Sequence, residues 1–352
     1  MGIAGRLRSL SDLVAEEFRR TVPGPLWRLR ALASGHPSRS IALLPPEVRA
    51  SGAYLRQTRF YRRRAYYNRM LYAALHNKIS QKLWLDRVCP EAAPPMTHYV
   101  AGERLVQIGG PDRPQRTRAE IPSLLQPGRP LFVKPADAGQ GVGAFHLAQD
   151  GDGVMINGVR VDHEGFRAWL AEQPIAFTVS GVIEQSAWTR RIFPGAVSTV
   201  RIMTATSFVD RRAVVLGAVL KCATSRTAPT DNFQSGRGGT TSSIDLTTGT
   251  VGPCVGFDED RFERTLSDRH PESGAPVAGE TLPHWGLLRD TVAGLAAILP
   301  CAGIAGWDVA IRDDGITVVE INTLPGIDVL QSAVPLLDTE AKRAILTEMR
   351  MF

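Results

Sequence analysis

Two alternating apolar runs joined by a tight polar turn constrain this 352-residue chain more than any other feature. They read Gly306-Trp307-Asp308-Val309-Ala310-Ile311, then Arg312-Asp313-Asp314-Gly315, then Ile316-Thr317-Val318-Val319-Glu320-Ile321-Asn322. Period-two alternation around Asp-Asp-Gly predicts a β-hairpin with a three-residue loop, in which Gly315 supplies a positive φ. Folded symmetrically about Asp314, the hairpin sets Asp308 opposite Glu320. Opposed Cβ atoms lie roughly 4.5–5.5 Å apart, and like charges there repel. Asn322 shares their face, while Trp307, Val309, Val319 and Ile321 turn toward a core. Two carboxylates and an amide on a rigid sheet suit a hard cation that takes oxygen ligands. The alternative is a solvent-facing acidic edge. On this geometry, Asp308→Asn or Glu320→Gln should hold or slightly raise the stability of the metal-free chain.

Charge is distributed unevenly. Of 41 Lys/Arg and 35 Asp/Glu, residues 1–90 hold 17 and 5, which leaves 24 and 30 for the remainder. The first quarter therefore carries +12 and the rest −6. A basic segment of this kind binds nucleic acid, an anionic membrane face or an acidic substrate, or else packs against the acidic body as a solvated helix surface. No run approaches twenty apolar residues, so no transmembrane helix is expected. MGIAGRLRSLSDLVAEEFRR lacks an apolar signal core. Cys89, Cys222, Cys254 and Cys301 are far apart and form no CxxC, which fits a reducing compartment and points to a cytoplasmic protein.

Residues 1–90 read mostly as helix. Leu7, Leu10, Val14 and Phe18 recur at helical spacing up to the Pro23-Gly24-Pro25 break. From about 46 to 87 an aromatic set (Tyr54, Phe60, Tyr61, Tyr66, Tyr67) is interleaved with Arg56, Arg59, Arg62, Arg63, Arg64 and Arg69. Arginine among aromatics suits RNA stacking, and equally the buried stripe of an amphipathic helix. The second use is favoured, because an exposed array of that size would promote aggregation. Residues 50–85 are accordingly expected to pack against the body and line an acceptor pocket, with a few arginines toward an acidic or phosphorylated substrate. Strands are expected at 97–100, 104–108, 131–135, 142–148 and 177–184, with a hairpin at Asn157-Gly158 and a helix at 163–172. A second unit holds strands at 199–206, 213–222 and 242–246, a helix at 285–299, the 307–322 hairpin and a helix at 339–349. The division is 1–90 basic helical segment, 91–186 smaller unit and 187–352 larger unit, an α+β architecture.

Between those elements lie polar residues in unusual places. Lys134 ends a strand just before Gly139, Gly141 and Gly143, whose backbone N–H groups can approach phosphate oxygens unless the loop is a plain β-turn. Glu184 and Gln185 lie where the chain crosses between units, a favoured place for ligands, although Glu184 also reads as an exposed strand-end acid. Arg201 and Lys221 each interrupt an apolar strand, where an unpaired charge is costly. They clamp phosphate oxygens or form structural ion pairs. Asp231-Asn232 with Gly236-Arg237-Gly238-Gly239 reads as a flexible loop, either a cover for substrate or an ordinary surface loop.

The order Lys134 and its glycines, Glu184, Arg201, Lys221, Asp308, Glu320, Asn322 resembles the ATP-grasp superfamily over about residues 77–335. Asn77-Lys78-Ile79-Ser80 is similar to its entry motif. Glu320-Ile321-Asn322-Thr323-Leu324-Pro325-Gly326 is similar to the closing segment of D-alanine–D-alanine ligases, and Ser-Thr-Val-Arg-Ile-Met-Thr with Gly-Trp-Asp to the sugar-transfer-associated group. The resemblance implies ATP clasped between two α+β units. Lys78 and Lys134 would be on its phosphates, Glu184 and Gln185 on its adenine or ribose, and Mg²⁺ on Asp308, Glu320 and Asn322. It implies a carboxylate–amine ligase acting through an acyl phosphate, with Arg201 and Lys221 stabilising the transferred group and with small-molecule or peptide substrates. A kinase on the same scaffold and a non-catalytic nucleic-acid or membrane adaptor are the rivals. Two departures stand out. Trp188-Thr189-Arg190-Arg191 replaces a ribose-binding acid, and Gly306 replaces an arginine, a role that Arg201 would take.

Overall fold

The computed structural model describes residues 24–109, 116–137, 143–151, 153–236 and 238–351. Gly139, Gly141, Arg237 and the expected Leu7–Phe18 helix lie outside them. The described residues begin with six short helices: α1 Pro25–Ala33, α2 Ser38–Leu43, α3 Pro46–Ser51, α4 Gln57–Tyr67, α5 Arg69–Leu75 and α6 Lys78–Val88. The 46–87 stretch is helical in pieces, broken at Gly52, which takes a left-handed φ of 67°, and again at Asn68 and Asn77.

The first sheet is built from β1 Met96–Ala101, β2 Arg104–Gln107, β3 Arg116–Thr117, β4 Leu131–Pro135, β5 Phe145–Asp150, β6 Gly153–Ile156, β7 Val159–Val161 and, after α7 (His163–Ala171), β8 Ala176–Gly181. Its order is β3-β2-β1-β8-β4-β5-β6-β7, with antiparallel pairing throughout. Val100, Val133, Leu147, Phe166, Phe177 and Val179 fill a core beneath it. Helix α8 (Ala187–Ile192), which sequence patterning did not mark, then leads into the second sheet.

That sheet comprises β9 Thr199–Thr206, β10 Ala213–Cys222, β11 Thr240–Ile244, β12 Val251–Asp258, β13 Glu263–Ser267, β14 Gly303–Arg312 and β15 Gly315–Asn322, with α9 (Trp285–Ala297) inserted before β14. Its order is β13-β12-β11-β10-β9-β14-β15. Strands β12 and β13 were also unforeseen. Helices α10 (Asp328–Gln331) and α11 (Glu340–Glu348) finish the chain. Alternate residues of each strand enter different cores. Val200, Ile202, Leu220, Trp307 and Val309 pack with α9 and with Leu71, Leu75 and Leu85. Met203, Ala205, Leu216, Val219 and Ile304 pack with α10, α11 and with Leu43, Leu55 and Phe60. The first helices thus share both cores of the second sheet. Cys89, Cys222 and Cys254 are buried small residues within the first of these, and no cysteine among the described residues is bridged.

Two side-chain amides fasten the first helices to that sheet, and a third fastens α10 to the segment between α3 and α4. β15 is an edge strand, with a free row of backbone groups on its outer side. Gln81 covers part of it: its Oε1 accepts from Ile321 N at 2.8 Å and its Nε2 donates to Ile321 O at 2.8 Å. Beyond Asn322, where β15 stops, Asn68 takes its place beside β14. It accepts from Ile304 N at 2.9 Å and donates to Ile304 O and Thr323 O, both at 2.6 Å. Gln331 pairs in the same way with both backbone groups of Leu55. A buried backbone group left unmatched costs about 1–3 kcal/mol, so Asn68→Ala is expected to lower unfolding stability by about 3 kcal/mol. Urea denaturation followed by fluorescence measures it, and a change within experimental error would mean that these bonds are exchanged for water at no cost.

Candidate active site

The 307–322 hairpin closes more tightly than its sequence suggests. Arg312 pairs with Gly315, so only Asp313 and Asp314 form the turn, and Gly315 is the first residue of β15. The register then shifts by one residue between Asp308 and Val309. The extra residue restores the pairing of Asp308 with Glu320. It also reverses the expected faces locally: Val318, not Val319, enters the core, and Val319 lines a cleft.

This cleft, of about 730 Å³, lies between the two sheets. That is within the range of small-molecule pockets, roughly 300–1,000 Å³. The first sheet contributes Phe132, Lys134, Pro135 and Gly181. The second contributes Arg201, Lys221, Asp308, Glu320 and Asn322. Helix α6 joins the two: Lys78 N donates to Ala136 O at 2.9 Å, and one turn later Gln81 holds Ile321.

The strand order places Asp308 between two neighbours. Glu320 is its partner on β15 and Arg201 its partner on β9. Arg201 wins the carboxylate, with Nε to Oδ1 and Nη2 to Oδ2 both at 2.8 Å. Lys221 reaches Oδ1 at 2.9 Å, and Asn322 Nδ2 donates to Oδ2 at 2.7 Å. Lys221 also pairs with Asp231 at 3.0 Å, and Asp231 accepts from Thr199 N at 2.8 Å. Gly306 makes room for this: a Cβ there would lie 2.9 Å from Pro325 and 3.4 Å from the Arg201 side chain. Burial pushes the Asp308 carboxyl up, but Arg201 and Lys221 outweigh it and hold it well below the usual carboxylate range. Burial likewise opposes the charge on Lys221, and Asp231 and Asp308 restore it, raising its pKa.

Glu320 stands closer to solvent and lies 3.4 Å from Lys78. Lys134 differs from its neighbours, since its ammonium has no ion pair or hydrogen bond among the described residues. Burial lowers its pKa, Glu320 opposes that, and Lys78 adds to it. Gly143, at φ 70°, packs on Pro135, and a Cβ there would lie 3.0 Å from the proline ring. In the crossing segment, Val182 and Ile183 line the cleft while Glu184 is exposed and outside its lining. Gln185 spends its side chain on Phe193 O, Ala196 O and Ser198 N. Neither side chain faces the cleft, because the strand ends at Gly181 and the chain turns into α8. The 231–236 loop lines the cleft but is fastened, with Phe233 in a core and Asp231 ion-paired. No arginine from 56 to 69 lines the cleft; Arg64 instead donates to Leu324 O and Pro325 O. Sequence reasoning missed Asp231 as a partner of Lys221, and it missed Ser235 and Asp328 in the cleft lining; Tyr61, one of the expected aromatic set, reaches Asp328 from outside that lining. Only Asp328, two residues after Pro-Gly, carried a signal.

Among the described residues no three His, Cys, Asp or Glu side chains cluster to hold a metal. The oxygen donors present are the two carboxylates and the Asn322 amide, and that set fits a hard cation. No helix among the described residues is long and apolar enough to cross a membrane.

Two antiparallel sheets with a cleft between them, Lys134 on one and Asp308, Glu320 and Asn322 on the other, have the layout of an ATP-grasp protein. A family model described as sugar-transfer associated ATP-grasp matches residues 55–336, and the chain belongs to that family. No curated protein matches it. Among solved structures it is similar to D-alanyl-alanine synthetase A from Vibrio cholerae, at 11% identity and TM-score 0.44, covering 79% of this chain and 65% of that one. D-alanine–D-alanine ligase from Bacillus anthracis follows at 15% and 0.36, with coverages of 79% and 66%. Biotin carboxylase from Campylobacter jejuni is similar at 11% and 0.43, with coverages of 79% and 46%. The chain spans less than two thirds of the length of each.

The ion pairs reverse the stability expected of one substitution. Asp308→Asn leaves Arg201 without its paired carboxylate and Lys221 with Asp231 alone, and a broken buried pair costs about 3–5 kcal/mol. Glu320→Gln removes only a partly exposed, longer contact, and is expected to change stability by less than about 1 kcal/mol. Urea melts of both variants without metal or nucleotide check this. Equal stability of the two would show that Arg201 and Lys221 find other partners.

Proposed function

We propose that the chain is an ATP- and Mg²⁺-dependent carboxylate–amine ligase of the cytoplasm, working through an acyl phosphate. The observation that carries this is the Lys134 ammonium, half-buried and without an ion pair among the described residues, across the cleft from Asp308, Glu320 and Asn322. A cation held without a protein partner calls for an anionic ligand, and the oxygen donors opposite call for a metal. Lys134 and Lys78 bind the phosphates, and Val182 and Ile183 form a wall for the base. Asp308, Glu320 and Asn322 would hold Mg²⁺, which when bound neutralises phosphate charge. Arg201 and Lys221 stabilise charge on the transferred group. No side-chain nucleophile is needed, because positioning and electrostatics supply the catalysis. The substrates are small-molecule or peptide carboxylates and amines.

Incubation with ATP, Mg²⁺, hydroxylamine and a panel of amino-acid and hydroxy-acid carboxylates tests the reaction. A ligase yields acyl hydroxamate, ADP and free phosphate in equal amounts. Phosphorylated substrate with ADP and no free phosphate would make the protein a kinase instead. Lys134→Ala is expected to weaken binding of a non-hydrolysable ATP analogue by about tenfold or more, the loss of one charged hydrogen bond. Calorimetric titration reads it, and unchanged affinity removes Lys134 from the phosphate site.

A further inference from the structure

We propose that Asp328 forms the acceptor end of this cleft and selects a substrate that arrives as an organic ammonium ion, an inference that rests on the ligase reading above. The other cleft carboxylates are already matched: Asp308 with Arg201 and Lys221, Asp231 with Lys221, and Glu320 with Lys78. Asp328 lines the same cleft and has no cation within 4.0 Å among the described residues. Its contacts are two neutral hydroxyls. Ser235 Oγ donates to Oδ2 at 2.8 Å, and Tyr61 Oη lies 3.4 Å from Oδ1. An ionised carboxylate offers about four lone-pair sites, so two remain. The Arg64 guanidinium acts on Asp328 through space without pairing with it: it donates to the carbonyls of Leu324 and Pro325 and lies over the Tyr61 ring at 4.6 Å.

The surroundings are shaped to hold this carboxylate in place. A Cβ on Gly326 would sit 2.7 Å from Asp328 Oδ1 and 3.4 Å from Tyr61 Oη, so glycine leaves the space the carboxylate occupies. Gln234 and Ser235 are consecutive non-glycine residues with left-handed φ of 48° and 54°. Such backbone persists only where its surroundings over-determine it, and it gathers at ligand sites. Here Arg39 Nη1 holds Ser235 O at 3.0 Å from behind, while the serine hydroxyl turns to Asp328. Neutral donors thus fix the orientation of Asp328, whose charge Arg64 offsets only from beyond ion-pair distance. Simple amines are protonated near neutral pH, so the form present in solution is the one this end attracts. An anionic acceptor meets repulsion there, which sharpens selection.

The test uses the full chain with Mg²⁺ and a non-hydrolysable ATP analogue. The probes are n-butylammonium, n-butanol and n-butyrate, three ligands of similar shape and different charge, followed by saturation-transfer NMR and titration. Wild type is expected to bind n-butylammonium in preference to the other two. Asp328→Asn should weaken that binding at least about tenfold and leave the analogue's affinity within about twofold. Gln234→Lys, at an exposed rim position beside Ser235, should also weaken n-butylammonium binding by supplying a competing ammonium, and it keeps the test available if Asp328→Asn does not fold. Preference for n-butyrate, no binding of n-butylammonium by a wild type that binds the analogue, or undiminished binding by both variants would overturn the proposal. A wild type that does not bind the analogue would instead overturn the ligase reading beneath it.

Discussion

One row of residues across the second sheet governs the cleft: Arg201 on β9, Asp308 on β14 and Glu320 on β15. Side chains directly opposite one another on a sheet must settle their charges locally. Asp308 has a cation on one side and an anion on the other, and it pairs with the cation. Lys221 joins from β10, and Asp231 fixes Lys221 in turn. The result is a buried chain of alternating charges, Asp231–Lys221–Asp308–Arg201, lying where the apolar face of the sheet meets the first sheet. Replacing such a chain by apolar residues of similar size is often neutral or stabilising, so stability alone does not account for its presence.

The row has its geometry because the edge of the sheet is held. β15 carries Glu320 and Asn322 and has a partner on one side only. Gln81 on its outer side and Asn68 beyond its end supply the hydrogen bonds that a further strand would otherwise give. Both amides belong to the basic N-terminal helices, whose apolar residues enter the two cores of this sheet. α6 also bonds to Ala136 at the end of β4, next to Lys134. The helices therefore set the position of the metal-side strand and touch the lysine-side sheet at once. A segment that looks from its charge like a separate binding arm is part of the frame of the cleft.

The sequence showed what is local and hid what is distant. The Asp308–Glu320 pairing was legible because a hairpin's register follows from its own alternation. It survived an error in detail, since a shorter turn and one extra residue compensate each other. The partnership of Arg201 with Asp308 was not legible, because it depends on β14 entering the sheet beside β9, more than a hundred residues earlier. The stability expected of Asp308→Asn changes sign once Arg201 and Lys221 are counted, because the sequence sets Asp308 against Glu320 alone. Arg201 and Lys221 were recognisable as charges inside apolar strands, and ion pairing was one of two uses open to them. Gln81 and Asn68 gave no signal, because a polar residue in a helix looks the same whether it faces water or the backbone of a strand. Glu184 was misplaced by overextending a strand past Gly181, which also hid α8.

The charge inventory of the cleft ties its two ends together. Lys78, Lys134, Arg201 and Lys221 stand against Asp231, Asp308, Glu320 and Asp328, four charges of each sign on buried or half-buried groups. Under the ligase reading, Arg201 and Lys221 reach a phosphate by leaving Asp308, and a bare Asp308 then calls for a cation. Each move is costly alone, since it strands a charge in a weakly polar setting. Together they conserve pairing, because the nucleotide's anions meet the lysines and arginine while a divalent ion meets the carboxylates. Binding of the two is coupled in that way without any movement of the backbone, and by linkage the coupling acts equally in both directions. Asp328 is outside this exchange. It forms no ion pair with these groups, and Arg64, which acts on it from beyond ion-pair distance, takes no part in the exchange, so its charge stays while the others are redistributed, which is the property wanted of a group that recognises the second substrate.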